Sequence, residues 1–196
     1  MELSITVAED NLLKLVGLLT PSFSVRAQVG NDLKAFVCQQ LGVNEIYFEE
    51  RIQTIFLDSK PVDDVTKTVV RDGSVMALSA AMPGLVGATF RKGGQYSWMR
   101  KAISHEGEDG PAQTDYGWVT VKLFNMVLKE LGPDFLKQGI WVDGGRVKDF
   151  IKSQSQAFRQ HIQALPLDGT PISPEAFLDQ DLSDTSIFLK VRSFAE

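Results

Sequence analysis

The chain of 196 residues holds a single cysteine and only two histidines. Cys38 alone cannot form an internal disulfide, so folding does not depend on an oxidising compartment and a cytoplasmic location is expected. His105 and His161 lie far apart in sequence, Cys38 has no partner at zinc-ligand spacing, and neither a metal nor a cofactor is expected. Basic charge is scarce as well: 20 Lys and Arg face 25 Asp and Glu, a formal net charge of −5. That balance argues against a nucleic-acid binder, whose affinity comes from cations placed on phosphates. Long apolar runs are missing too. Glu2, Glu9 and Asp10 put acid where a secretory signal carries base. The uncharged stretch from Gly73 to Phe90 is rich in glycine and alanine and is broken by Pro83, so no membrane span is expected there.

What is present is internal similarity, which has to be sought before single elements are assigned. Ile5–Val7 matches Val119–Val121, and Leu12–Gly17 matches Val127–Gly132. Asp32–Val37 matches Arg146–Ile151, Arg51–Val62 matches His161–Ile172, and Asp72–Leu78 matches Asp184–Lys190. The blocks keep one order, with offsets between 110 and 115 residues, and the offsets slip where loops are expected. Duplication explains this better than two unrelated domains.

Each copy opens on an alternating strand, followed by a short apolar cluster closed by glycine. A second strand follows, around Phe23–Val29 and Gly139–Val142. In the first copy a helix carries Leu33, Phe36, Val37 and Leu41 on one face, capped by Asn31 and ended by Gly42. In the second, Val147, Phe150 and Ile151 hold that face after Gly144-Gly145. A strand, a tight turn at Asp58-Ser59-Lys60 or Asp168-Gly169-Thr170, and a short return come next. Closing strands are expected at Ser74–Ser79 and Ser186–Arg192. An apolar helix stripe needs a sheet to cover it, which makes each copy α+β.

The run Thr54–Asp64 followed by Val70–Ser79 resembles the C-terminal half of ubiquitin-like β-grasp proteins, nearest the sulfur-carrier group of the molybdopterin synthase small subunit and the thiamine sulfur carrier. Val121-Lys122-Leu123-Phe124 resembles that small subunit's opening strand. The resemblance implies two β-grasp units in tandem: residues 1–80, a Gly-rich connector with a short helix at 81–117, and residues 118–196. For a sulfur carrier it also implies a C-terminal Gly-Gly that is activated through its terminal carboxylate. This chain instead ends Val191-Arg192-Ser193-Phe194-Ala195-Glu196. Met82-Pro83-Gly84 has proline at the penultimate position and lies inside the chain, and Gly93-Gly94 is internal too. A carrier would require proteolysis after Gly84 or Gly94.

Residues 80–117 belong to neither copy. Gly84, Gly87, Gly93 and Gly94 with Arg91, Lys92, Arg100 and Lys101 could hold an anion on backbone amides and cations, although no P-loop or dinucleotide fingerprint is present. Tyr96, Met99 and Ile103 stand at helical spacing beside Trp98, a composition typical of protein interfaces. His105 to Pro111 reads as a mobile acidic loop. Asp63-Asp64 and Asp179 to Asp181 read as loop caps, and Cys38 as a buried inert thiol. No catalytic constellation emerges. The expectation is a non-enzymatic interaction or scaffold protein with a protein partner or a second copy of itself. A sulfur-carrier precursor or accessory protein, and a small-molecule or anion binder acting through the connector, are the alternatives.

Overall fold

The computed structural model describes residues 1–105, 115–162 and 164–194, without the side chains of Lys101 and Ala102. The expected acidic loop lies outside these residues from Glu106 onward. Strands run β1 (Glu2–Ala8), β2 (Phe23–Val29), β3 (Thr54–Leu57), β4 (Lys60–Pro61), β5 (Val75–Ser79), β6 (Asp115–Phe124), β7 (Ile140–Asp143), β8 (Leu165–Leu167), β9 (Thr170–Ile172) and β10 (Ser186–Phe194). The α-helices are α1 (Glu9–Leu15), α2 (Leu33–Ala35), α3 (Glu45–Glu50), α4 (Gly84–Phe90), α5 (Asn125–Gln138), α6 (Gly144–Ser153), α7 (Gln156–Gln160) and α8 (Pro174–Leu178). α2 passes directly into a π turn, Phe36–Gln40. The α+β class follows from this mixture.

The chain forms two compact units: Met1–Phe23 with Lys129–Glu196, and Ser24–Leu128. Both expected boundaries, near residues 80 and 117, fall inside the second of these. The first unit has strand order β7-β10-β1-β8-β9, and the second β4-β3-β5-β6-β2. Each sheet therefore includes the opening strand of the other copy. β1 pairs in parallel with β10, from Glu2 opposite Phe188 to Ala8 opposite Phe194. β6 pairs in parallel with β5, from Thr120 opposite Val75 to Phe124 opposite Ser79.

The two hairpin turns form as expected, with positive φ at Asp58 and Ser59 and at Asp168 and Gly169. Each then grips the edge of the strand beside its hairpin in the same way. Asp58 donates its backbone N–H to the Val75 carbonyl at 2.8 Å, and its Oδ1 accepts from Val75 N at 2.7 Å. Asp168 donates to the Glu2 carbonyl at 2.8 Å, and its Oδ1 accepts from Glu2 N at 2.7 Å. The same clasp thus holds the closing strand β5 in one unit and the opening strand β1 in the other. The two sheets have corresponding members, but their central pair stands in opposite order.

Strand alternation sets the cores. Leu3, Ile5 and Val7 of β1 are fully buried, as are Ile187 and Leu189 of β10, with Val147, Ile151 and Phe177 from the helices of that unit. In the second unit Ile55, Leu57, Met76, Leu78, Val119 and Val121 meet Leu33, Phe36, Val37 and Phe48. Helix starts correct the sequence reading in detail. Asp32, one residue after the expected Asn31, caps α2 by accepting from Ala35 N at 2.9 Å. Asp143 caps α6 through Arg146 N at 2.8 Å, so Gly144-Gly145 open that helix instead of preceding it.

The short apolar cluster expected around Val127–Gly132 is part of the 14-residue helix α5, which continues through Gly132 and Pro133. A Cβ on Gly132 would come within 3.0 Å of Val16 and Leu19, so a small residue is needed there despite its poor helix propensity.

Because β1 lies within the sheet that contains Trp141, Ile5→Ala should lower the stability reported by Trp141 fluorescence by about 2–4 kcal/mol. Urea unfolding in a Trp98→Phe, Trp118→Phe background, which leaves Trp141 as the sole tryptophan, checks this. An unchanged Trp141 transition would contradict the exchange.

Candidate functional site

Up to His105 the connector contains two short helices. The glycine-rich start of the connector is helix α4, opened by Gly84 at φ +79°. It has room only for glycine at its middle, where a Cβ on Gly87 would strike the backbone carbonyl of Met82. The expected helix around Tyr96 to Ile103 forms as a 3₁₀ helix, Ser97–Ile103, and packs on α4.

Of the expected cations, Lys92 and Arg100 are engaged internally. Arg100 is buried and faces inward, with Nη2 and Nη1 donating to Asp63 Oδ1 and Oδ2 at 2.7 and 2.9 Å. Its Nε donates to the Thr89 carbonyl and its Nη1 to Ser104 Oγ at 2.8 Å. Asp63, which the sequence suggests is a turn acid, is therefore the anchor of the connector. Asp64 does serve as the expected cap, accepting from Thr66 N at 3.1 Å.

Lys92 lies over the Phe48 ring, 4.5 Å from its centroid, and pairs with Glu49 at 3.6 Å. Burial lowers its pKa, opposed by the charge of Glu49. Gly93 donates to Asp63 Oδ1 at 3.3 Å, and Gly94 closes a turn on the Arg91 carbonyl at 3.0 Å. Arg91 extends into solvent, and the side chain of Lys101 is outside the described residues.

The aromatic and apolar members of the connector are the ones left exposed. Trp98 is 70% exposed, Leu85 and Val86 66%, Ile103 56% and Met99 55%, with Tyr96 also open to solvent. Tyr116, Trp118, Phe124 and Met126 extend the same tendency into β6 and the start of α5. Elsewhere among the described residues only Met1, Leu13 and Ile46 are large, apolar and exposed.

Beneath α4 the sheet carries a second feature that the sequence did not indicate. A cavity of about 600 Å³ lies between α4 and one face of β3, β5 and β6. Thr54, Phe56, Val75, Ala77, Ser79, Lys122 and Phe124 face it, because they alternate with the core-facing Ile55, Met76, Leu78, Val121 and Leu123. Met82, Val86 and Phe90 form its roof, and the rings of Phe90 and Phe56 meet at 5.3 Å. Alternation in the sequence shows that these residues share a face; only the position of α4 encloses them.

Among the described residues no group of three or more His, Cys, Asp or Glu could hold a metal ion, and no helix is long and apolar enough to cross a membrane. Burial pushes the Cys38 thiol above its ordinary pKa, and the charge of Glu45 adds to the effect. No family model, curated protein or solved structure matches this chain.

Two expectations follow. Arg100→Ala leaves Asp63 without its partner, and because Asp63 is 35% exposed the cost should be about 2–3 kcal/mol, less than for a fully buried pair. Hydrogen exchange should show faster opening of residues 84–104 with β3 and β5 unaffected. Cys38 should alkylate with iodoacetamide more slowly than glutathione at pH 8, because a raised pKa leaves less thiolate. The rate should keep rising at pH values where the glutathione rate has levelled off, as followed by mass spectrometry.

Proposed function

We propose that the protein is a non-enzymatic interaction protein built from two ubiquitin-like β-grasp units that exchange their opening strands, and that it docks a protein partner through the connector. The carrying observation is the concentration of exposed large apolar side chains between Leu85 and Met126. Scattered exposed apolar residues are ordinary, but clustered Trp, Tyr, Met and Leu are the side chains that carry binding energy at protein interfaces. Arg100 and Asp63 fix the connector in place, so the ordering cost of presenting this surface is met before a partner arrives.

The β-grasp reading draws support from the parts of each sheet: a tight hairpin, a closing strand and a capped helix, in the repeated order. The anion-binding alternative gains little, since Lys92 and Arg100 are engaged internally. The carrier alternative gains none from the geometry. Gly93 and Gly94 sit in a turn tied to Asp63, and a cut after Gly94 would separate Arg100 from that anchor.

The test is retention of a bound protein from the native host, together with sedimentation equilibrium for self-association. Leu85→Glu with Trp98→Ala should reduce binding at least tenfold, while Ile46→Glu, an equally exposed apolar residue on α3, should leave it intact. Equal loss in both variants, or no loss in either, would overturn the assignment of the surface.

A further inference from the structure

We propose that the cavity under α4 is a binding site for a small apolar monocarboxylate, adjoining the exposed apolar surface of the connector, with which it shares Val86 and Phe124. Its volume of about 600 Å³ falls within the range of small-molecule pockets. Its walls are side chains of Phe56, Val75, Ala77, Met82, Phe90 and Phe124, which suit a hydrocarbon body.

Three polar groups give the cavity its specificity. Thr54 is 1% exposed and lines the cavity, yet its Oγ1 has no hydrogen-bond partner among the described residues. An unpaired buried hydroxyl costs stability that a ligand oxygen would recover. Ser79 stands opposite Thr54 in the β3–β5 register. Its Oγ accepts from Asn125 Nδ2 at 3.1 Å, which leaves its own hydrogen free to donate. Asn125 is held for that contact in a left-handed conformation, at φ 53°.

Lys122 supplies the charge. It lies opposite Ala77, one row along the sheet from Ser79, lines the cavity, and has no ion pair among the described residues. Two hydroxyl donors and a cation at an otherwise apolar cavity complement a carboxylate head on an apolar body. A neutral alcohol would satisfy the hydroxyls but leave the charge unused, and a cationic head would be repelled. The first unit offers a useful contrast. Its cavity of about 280 Å³ also carries a cation, Arg146, but that guanidinium is already donating to the carbonyls of Leu18, Thr20 and Ser22.

The probe is decanoate, titrated calorimetrically into the full-length protein beside decanol and decyltrimethylammonium. One saturable site is expected for decanoate, with decanol at least tenfold weaker and the cation showing no saturation. Lys122→Gln should weaken decanoate about tenfold and leave decanol unchanged. Ala77→Leu, which fills the cavity, should abolish both. Hydrogen exchange on the wild-type protein locates the site independently of any variant, and decanoate should slow the amides of β3, β5 and α4. No saturation with decanoate, equal affinity for decanol or the cation, an inert Lys122→Gln substitution, or protection elsewhere would each overturn the proposal.

Discussion

The architecture depends on parallel pairing between the first strand of each half of the chain and the last strand of the other half. β1 contributes Leu3, Ile5 and Val7, all with no exposed surface, to a sheet whose other strands come from beyond residue 139. β6 does the same for a sheet otherwise made of the first half, through Val119 and Val121. Neither sheet would have a complete core without the borrowed strand. Parallel neighbours need long connections, and an exchanged opening strand provides one in each unit.

Repeated turn chemistry makes the exchange specific. Asp58 and Asp168 occupy matching positions in the two copies and form the same pair of backbone and carboxylate hydrogen bonds. What they hold differs, a closing strand in one unit and an opening strand in the other. The clasp recognises a strand end, not a particular sequence, so the register is left to the apolar alternation of the strands themselves.

The connector links this architecture to the proposed docking role. Its buried cation, Arg100, faces inward onto Asp63, while Leu85, Tyr96, Trp98, Met99 and Ile103 are exposed. The usual amphipathic order is therefore inverted for its largest residues. Covering one face of β3, β5 and β6 with helix α4 also leaves space beneath it, roofed by Met82, Val86 and Phe90. The exposed apolar surface and the cavity are thus two consequences of one segment laid across a sheet.

Much of this was determined by the sequence alone. Alternation located the strands and the tight turns at Asp58-Ser59-Lys60 and Asp168-Gly169-Thr170, because these depend on residues close in the chain, and the five matching blocks pointed to a duplication. The sequence also singled out residues 80–117 as unmatched. Strand partnership was decided only in the tertiary structure, since two similar opening strands satisfy either sheet by local pattern and only the whole packing distinguishes them. The roles of Arg100 and Lys92 were likewise decided there, because whether a cation is free or paired depends on partners such as Asp63 and Glu49, 37 and 43 positions away. The Thr54 hydroxyl, without a hydrogen-bond partner among the described residues, has no sequence signature at all: it looks like any threonine in an alternating strand until a helix closes over it.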